Sequence, residues 1–152
     1  MMRGSRENHP AEITPKETTM EVNTISIQLA SENPDRLFAF YRDVVQLPLE
    51  TEVGDRGLKL GPTATLFVVD HSEVTGPTKE RSRAILDLHL SGLDAEHDRL
   101  KAAGVQFTRE KGLEYWGGVI STFSDPDGNT VQLMEYRPEL ARPENEPAAA
   151  TA

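Results

Sequence analysis

No cysteine occurs among the 152 residues, which removes disulfides, thiolate nucleophiles and thiolate metal sites at one stroke. Aromatic side chains are scarce at 6%, with a single tryptophan, so any stacking surface must come from very few residues. Cations are in deficit: 16 Lys and Arg face 25 Asp and Glu, a formal charge of −9. A phosphate backbone or an anionic bilayer would be repelled on average, so neither nucleic acid nor a membrane is an expected partner. No apolar run approaches the ~18 residues needed to span a bilayer, and the N-terminal stretch lacks the apolar centre of a secretory signal. A soluble, cytoplasmic protein is expected. A G-x-S-x-G elbow, a phosphate-binding glycine loop and a zinc-type Cys/His spacing are likewise missing.

Hydrophobic residues make up 37% of the chain, which is low for a compact domain unless part of the length stays out of the core. The two ends supply that part. Residues 1–20 show no apolar periodicity, and residues 138–152 are rich in Pro, Ala and Glu, so both read as disordered tails around one domain at 21–137.

Within that domain one pattern is written twice. In "NTISIQLA" Ile25, Ile27 and Leu29 alternate with Ser26 and Gln28, as in a half-buried strand. An amphipathic helix follows, with Asn33 as its cap, Pro34 at its first position, and Leu37, Phe40, Tyr41, Val44 and Val45 at helical spacing. Short strands are expected near residues 50–53, 58–60 and 65–70. The order restarts at "AILDLHL", where Ala84, Leu86, Leu88 and Leu90 oppose Ile85, Asp87 and His89. A helix with Asp94 as cap and Gly104 as stop comes next, then strands near 105–108, 118–123 and 130–136. The last two are joined by "SDPDGN", a tight turn that sets their register. The expected fold class is α+β: two tandem βαβββ modules, at 21–75 and 82–137, forming a curved, cup-shaped mixed sheet with helices on its outer face. Such a cup is a natural small-molecule pocket.

In order and spacing, "NPDRLFAFYRDVVQLPLE", "LDAEHDRLKAAGV" and "EYWGGVISTFSDPDGNTVQLMEY" resemble the vicinal oxygen chelate superfamily of glyoxalase, bleomycin-resistance and extradiol dioxygenase proteins. The resemblance covers residues 22–137. It implies paired βαβββ modules, a cup-shaped site, and a homodimer that in some members builds its cups between subunits. It also implies a divalent metal acting as a Lewis acid on two neighbouring substrate oxygens. The family's ligand positions fall here on Ser26, Ile85 and Gln132. Two ligands are therefore lost and the third is an uncharged amide, so no metal or other cofactor is expected. Family members that sequester a drug without destroying it also lack the metal set.

The expected cup residues are Ser26, Gln28, Asp87, His89, Gln132 and Met134, with Tyr136 on the same face. Asp87 and His89, two apart on a strand, are either an acid–base pair, a ligand-orienting pair or a solvated patch. A displaced metal site from His89, Asp87 and Gln28 is a further reading. Trp116 either stacks on a planar ligand at the mouth or closes the core. The linker bearing His71, Glu73, Lys79, Arg81 and Arg83 is either a rim that draws anions or a hydrophilic connection. Phe38 and His97 read as structural. The favoured function is binding of a small aromatic or planar molecule without the usual metal. The alternative is a lyase or oxidoreductase of glyoxalase or dioxygenase type, either metal-dependent through displaced ligands or metal-free through His89 and Asp87. A regulatory module whose cup is plugged by its own side chains is the third reading.

Overall fold

The computed structural model describes Met20 and residues 22–146. The first module comprises β1 (Ile25–Ala30), α1 (Pro34–Ala39), β2 (Leu49–Glu50), β3 (Gly57–Leu60) and β4 (Ala64–Val69). The second repeats it with β5 (Ile85–His89), α2 (Leu93–Ala102), β6 (Phe107–Leu113), β7 (Gly118–Ser124) and β8 (Thr130–Tyr136). Both sheets have the same order, β1-β4-β3-β2 and β5-β8-β7-β6, with the first and last strand of each module parallel. The expected repeat is therefore present at the level of topology. As expected, the fold is α+β with two four-stranded mixed sheets, here open rather than curled, with β1 and β5 each at an edge.

The reason lies in how the apolar faces are satisfied. Leu37 and Tyr41 from the first helical segment, Leu93 and Leu100 from α2, Leu58, Leu66 and Val68 from one sheet, and Phe123, Val131 and Leu133 from the other form one buried cluster. Phe40 meets Phe123 edge-on at 6.3 Å. Arg99 on α2 donates to the carbonyls of Val44 and Val45 at 2.9 and 3.0 Å, tying the second helix to the end of the first. The helical sides of the modules thus share one core. The bare faces of the two sheets point away from this core.

The first helix starts as its sequence dictates. Asn33 Oδ1 accepts from the Arg36 N–H at 3.1 Å, and Pro34 occupies the first turn where no N–H is needed. It does not continue as an α-helix: Phe40–Val44 widens into a π turn, with Val45 N–H donating to the Phe40 carbonyl at 3.0 Å. The second helix departs from expectation at its start. Asp94 does not cap it; Asp94 bonds Arg137 and Lys111 instead. The carboxylate of Glu135, on β8, accepts from the Gly92 and Leu93 N–H groups at 3.0 and 3.1 Å, so a neighbouring strand supplies the cap.

The Arg137 guanidinium, then the Gly92 N–H, hold the Glu135 carboxyl below its ordinary pKa. A depressed carboxylate contributes stability above its unfolded value, and that contribution is lost as pH falls through the folded value. Acid unfolding followed by circular dichroism is accordingly expected to flatten below about pH 4 in Glu135→Gln, relative to the parent protein. An unchanged profile would count against this cap.

The turn between β7 and β8 does more than set register. Asp125 Oδ1 accepts from the N–H groups of Asp127 and Asn129 at 3.0 and 2.9 Å, and Oδ2 accepts from Asn129 Nδ2 and the Tyr41 hydroxyl, both at 2.8 Å. Arg36 on α1 donates to Asp127 at 2.6 Å. The turn of one module is therefore bolted to the first helix of the other. His97 is buried against Phe107, ring centroids 4.1 Å apart, and bonds Glu110 at 2.9 Å, in keeping with a structural role. The N-terminal tail lies outside the described residues apart from Met20. Of the expected C-terminal tail, Pro138–Leu140 form a 3₁₀ turn, and Arg142 N–H donates to the Tyr115 carbonyl at 2.7 Å.

Candidate functional site on the open face of the second sheet

Strand pairing lines up side chains in rows across the bare face of the second sheet, since directly opposed residues share a face. One row runs Asp87, Gln132, Thr122, Arg109; the next runs His89, Met134, Ile120, Gly112; a third pairs Tyr136 with Gly118. Asp87, His89, Gln132 and Met134 are thus brought together as expected. Gln132 Nε2 donates to Asp87 Oδ1 at 3.1 Å, and His89 Nε2 stands 3.3 Å from Asp87 Oδ2. The imidazole is 63% exposed, so the pair is open to solvent or to a ligand.

Trp116 lies at the far end of this face. It does not close the core: it is 37% exposed and stacks on Tyr136 with centroids 6.2 Å apart. Gly118 makes room for it, because a Cβ there would fall 1.9 Å from the indole. Two more members were not found from the sequence. Arg109 and Glu114 form an ion pair on this face, and Arg109 Nη2 occupies the space beside Gly112, where a Cβ would stand 3.3 Å away. The missed signal is a pair of irregularities in β6, between Phe107 and Arg109 and between Arg109 and Gly112, which turn Arg109 to the open side. No alternation in "FTREKGL" announces that turn.

Ser26 and Gln28 are not in this group. They lie on the bare face of the first sheet, opposite Thr65 and Phe67 on β4. The linker is not close to Trp116 either. Thr78 N–H donates to the Asp127 carbonyl at 2.9 Å and Thr130 Oγ1 to the Arg81 carbonyl at 2.6 Å, fastening the linker to the turn at the opposite end of β8. There Glu73, Lys79, Arg81 and Arg83 border a cavity of about 500 Å³. A larger, mainly apolar cleft of about 1040 Å³ separates the free edge of β5 from Ile25, Ile27 and Leu60 of the first module.

The family's divalent metal does not fit these residues. Ile85 offers no donor atom, Ser26 stands on the other sheet of the subunit, and Gln132, whose Nε2 donates to Asp87, offers only an uncharged carbonyl oxygen. Among the described residues no three of His, Cys, Asp or Glu form a group able to hold a metal ion. Gln28, the third member of the displaced set, is likewise on the first sheet. No helix of the described residues is long and apolar enough to cross a membrane.

Comparison with solved structures returns the same architecture. An antibiotic-binding protein from Streptomyces sp. CB03234 is 23% identical, with a TM-score of 0.62 over 78% of this chain and 99% of that one. A glyoxalase/bleomycin resistance protein from the same Streptomyces strain is 26% identical, with a TM-score of 0.56 over 72% and 97%. A glyoxalase/bleomycin resistance protein/dioxygenase from Nocardioides is 18% identical, with a TM-score of 0.60 over 79% and 86%. No curated protein matches the chain. The model of the Glyoxalase/Bleomycin resistance protein/Dioxygenase superfamily matches residues 23–133, from just before β1 to the Leu133 of β8, and the chain belongs to that superfamily.

Proposed function

We propose that this protein binds a small planar aromatic molecule on the open face of its second sheet and holds it without the superfamily's divalent metal. The observation that carries the reading is the solvent-facing stack of Trp116 on Tyr136, next to the adaptable thioether of Met134 and the polar cluster of Asp87, His89 and Gln132. The antibiotic-binding relative lends support of a general kind.

The reading includes a homodimer. Ile25 and Ile85 are 61% and 49% exposed on edge strands that border the same apolar cleft, and bare apolar edges of this kind call for a partner. A two-fold axis would set β1 of each subunit beside β5 of the other and close both clefts together. The first sheet of one subunit, with Ser26 and Gln28, would then roof the second sheet of the other. Sedimentation is expected to give a dimer, and Ile25→Glu with Ile85→Glu a monomer that binds ligand at least about tenfold more weakly. A wild-type monomer with full affinity would sink the shared site.

Binding itself is tested by titrating the fluorescence of Trp116, the single tryptophan, with flat polycyclic aromatics, followed by recovery of the ligand unchanged. Saturable quenching without product formation is expected, and turnover of the bound compound would overturn the reading. A second reading, metal-free acid–base catalysis on a carbonyl or epoxide, is favoured by one contact only, the 3.3 Å approach of His89 to Asp87. Loss of turnover in His89→Ala with binding intact would establish it.

A further inference from the structure

Among the described residues the open face of the second sheet carries one cation, Arg109, and it is held in an unusual way. Arg109 is swung onto the face by the irregularities of β6 and lies over the bare Cα of Gly112, where no side chain competes for the space. Glu114 holds it by one nitrogen, Nη2. Among the described residues its Nε and Nη1 make no hydrogen bond to protein, and its side chain is 46% exposed. The carboxylate nearby is already committed: Asp87 receives Gln132 on one oxygen and faces His89 with the other. What Arg109 has left to offer is donor capacity, and its Nη1/Nη2 edge, where Nη2 keeps a second N–H, is a fork suited to two oxygens of one group.

We infer that Arg109 selects the ligand, and that the ligand is a planar aromatic bearing an ionised oxygen, a carboxylate or a phenolate. The inference rests on the aromatic-binding reading above. The ring would lie against Trp116 and Tyr136, while its anionic group accepts from Nη1 and the second N–H of Nη2 of Arg109, the edge that presents two parallel donors. Glu114 acts as the competitor that keeps the guanidinium in place when no ligand is bound. The net charge of −9 is no obstacle, because charges beyond about 8 Å are largely screened at physiological salt.

The test is equilibrium dialysis of the full chain with 2-naphthoate and, in parallel, with neutral 2-naphthalenemethanol. Wild type is expected to prefer naphthoate by about tenfold or more. Arg109→Gln is expected to abolish that preference by bringing naphthoate binding down to the level of the alcohol, and Arg109→Lys to keep only part of it, since an ammonium lacks the fork. Glu114→Gln is expected to strengthen naphthoate binding about threefold by removing the competitor. Thermal unfolding of each variant guards against loss of fold. Equal binding of the two probes would overturn the role of Arg109 and leave the aromatic site standing. Binding of neither would overturn both.

Discussion

Asp125→Ala is expected to destabilise the protein by about 3–5 kcal/mol, lowering the melting temperature by on the order of 10 °C. Asp125 is only 5% exposed and accepts four hydrogen bonds, three from its own turn and one from Tyr41 in the other module. Alanine leaves all four donors unpaired, among them a hydroxyl on a fully buried ring. Burial, and then the Asp125 charge, push the Tyr41 hydroxyl well above its ordinary pKa, so it stays a proton donor across the working range. Asp125→Asn should cost about half as much, because the retained carbonyl still serves part of the turn and the hydroxyl can rotate to accept from the new amide. Tyr41→Phe removes a single bond and should cost about 1–2 kcal/mol. In a double-mutant cycle followed by urea unfolding, Asp125→Ala and Tyr41→Phe should couple by at least ~1 kcal/mol. Additive losses would mean that the turn does not hold the modules together.

Gly118→Ala is expected to have the largest effect on ligand binding of any one-carbon change. A Cβ at Gly118 would fall 1.9 Å from one indole carbon of Trp116 and 2.2 Å from another, so the ring must leave its seat on Tyr136. Gly118 is not in the left-handed region, so alanine suits its backbone and the strand should survive. Loss of the stacked pair should weaken binding of a flat aromatic about tenfold and shift the tryptophan emission. Gly117 behaves differently: its φ of +90° is one that alanine disfavours, and a Cβ there would stand 2.7 Å from the Arg137 carbonyl oxygen. Gly117→Ala is therefore expected to lower the melting temperature as well as the affinity, whereas Gly118→Ala should alter affinity alone. If Gly118→Ala binds like wild type, the Trp116 platform takes no part in recognition.

Much of this protein was readable from residue order alone. The strand–helix–strand–strand–strand repeat follows from local alternation and helical spacing, and such periodicities survive because each element must bury one face wherever its neighbours lie. The Asn33 cap, the Pro34 start and the inner positions of Leu37, Tyr41, His97 and Leu100 came out as expected for the same reason. So did the grouping of Asp87, His89, Gln132 and Met134, since side-chain direction in a strand is set by parity.

Tertiary structure decided the rest, wherever the choice lay between distant segments with similar local merit. Parity placed Ser26 and Gln28 on a bare face, but not on which side of the molecule that face would lie. That was settled when both helical layers packed together and turned the two bare faces outward. Asp94 and Glu135 are both carboxylates able to cap α2, and the fold brings Glu135 to the Gly92 and Leu93 N–H groups while Asp94 meets Arg137 and Lys111. Arg109 reached the site only through irregularities in β6, which depend on how that strand pairs with β7. Periodicity reports which face of an element is buried; which other element buries it is a property of the folded chain.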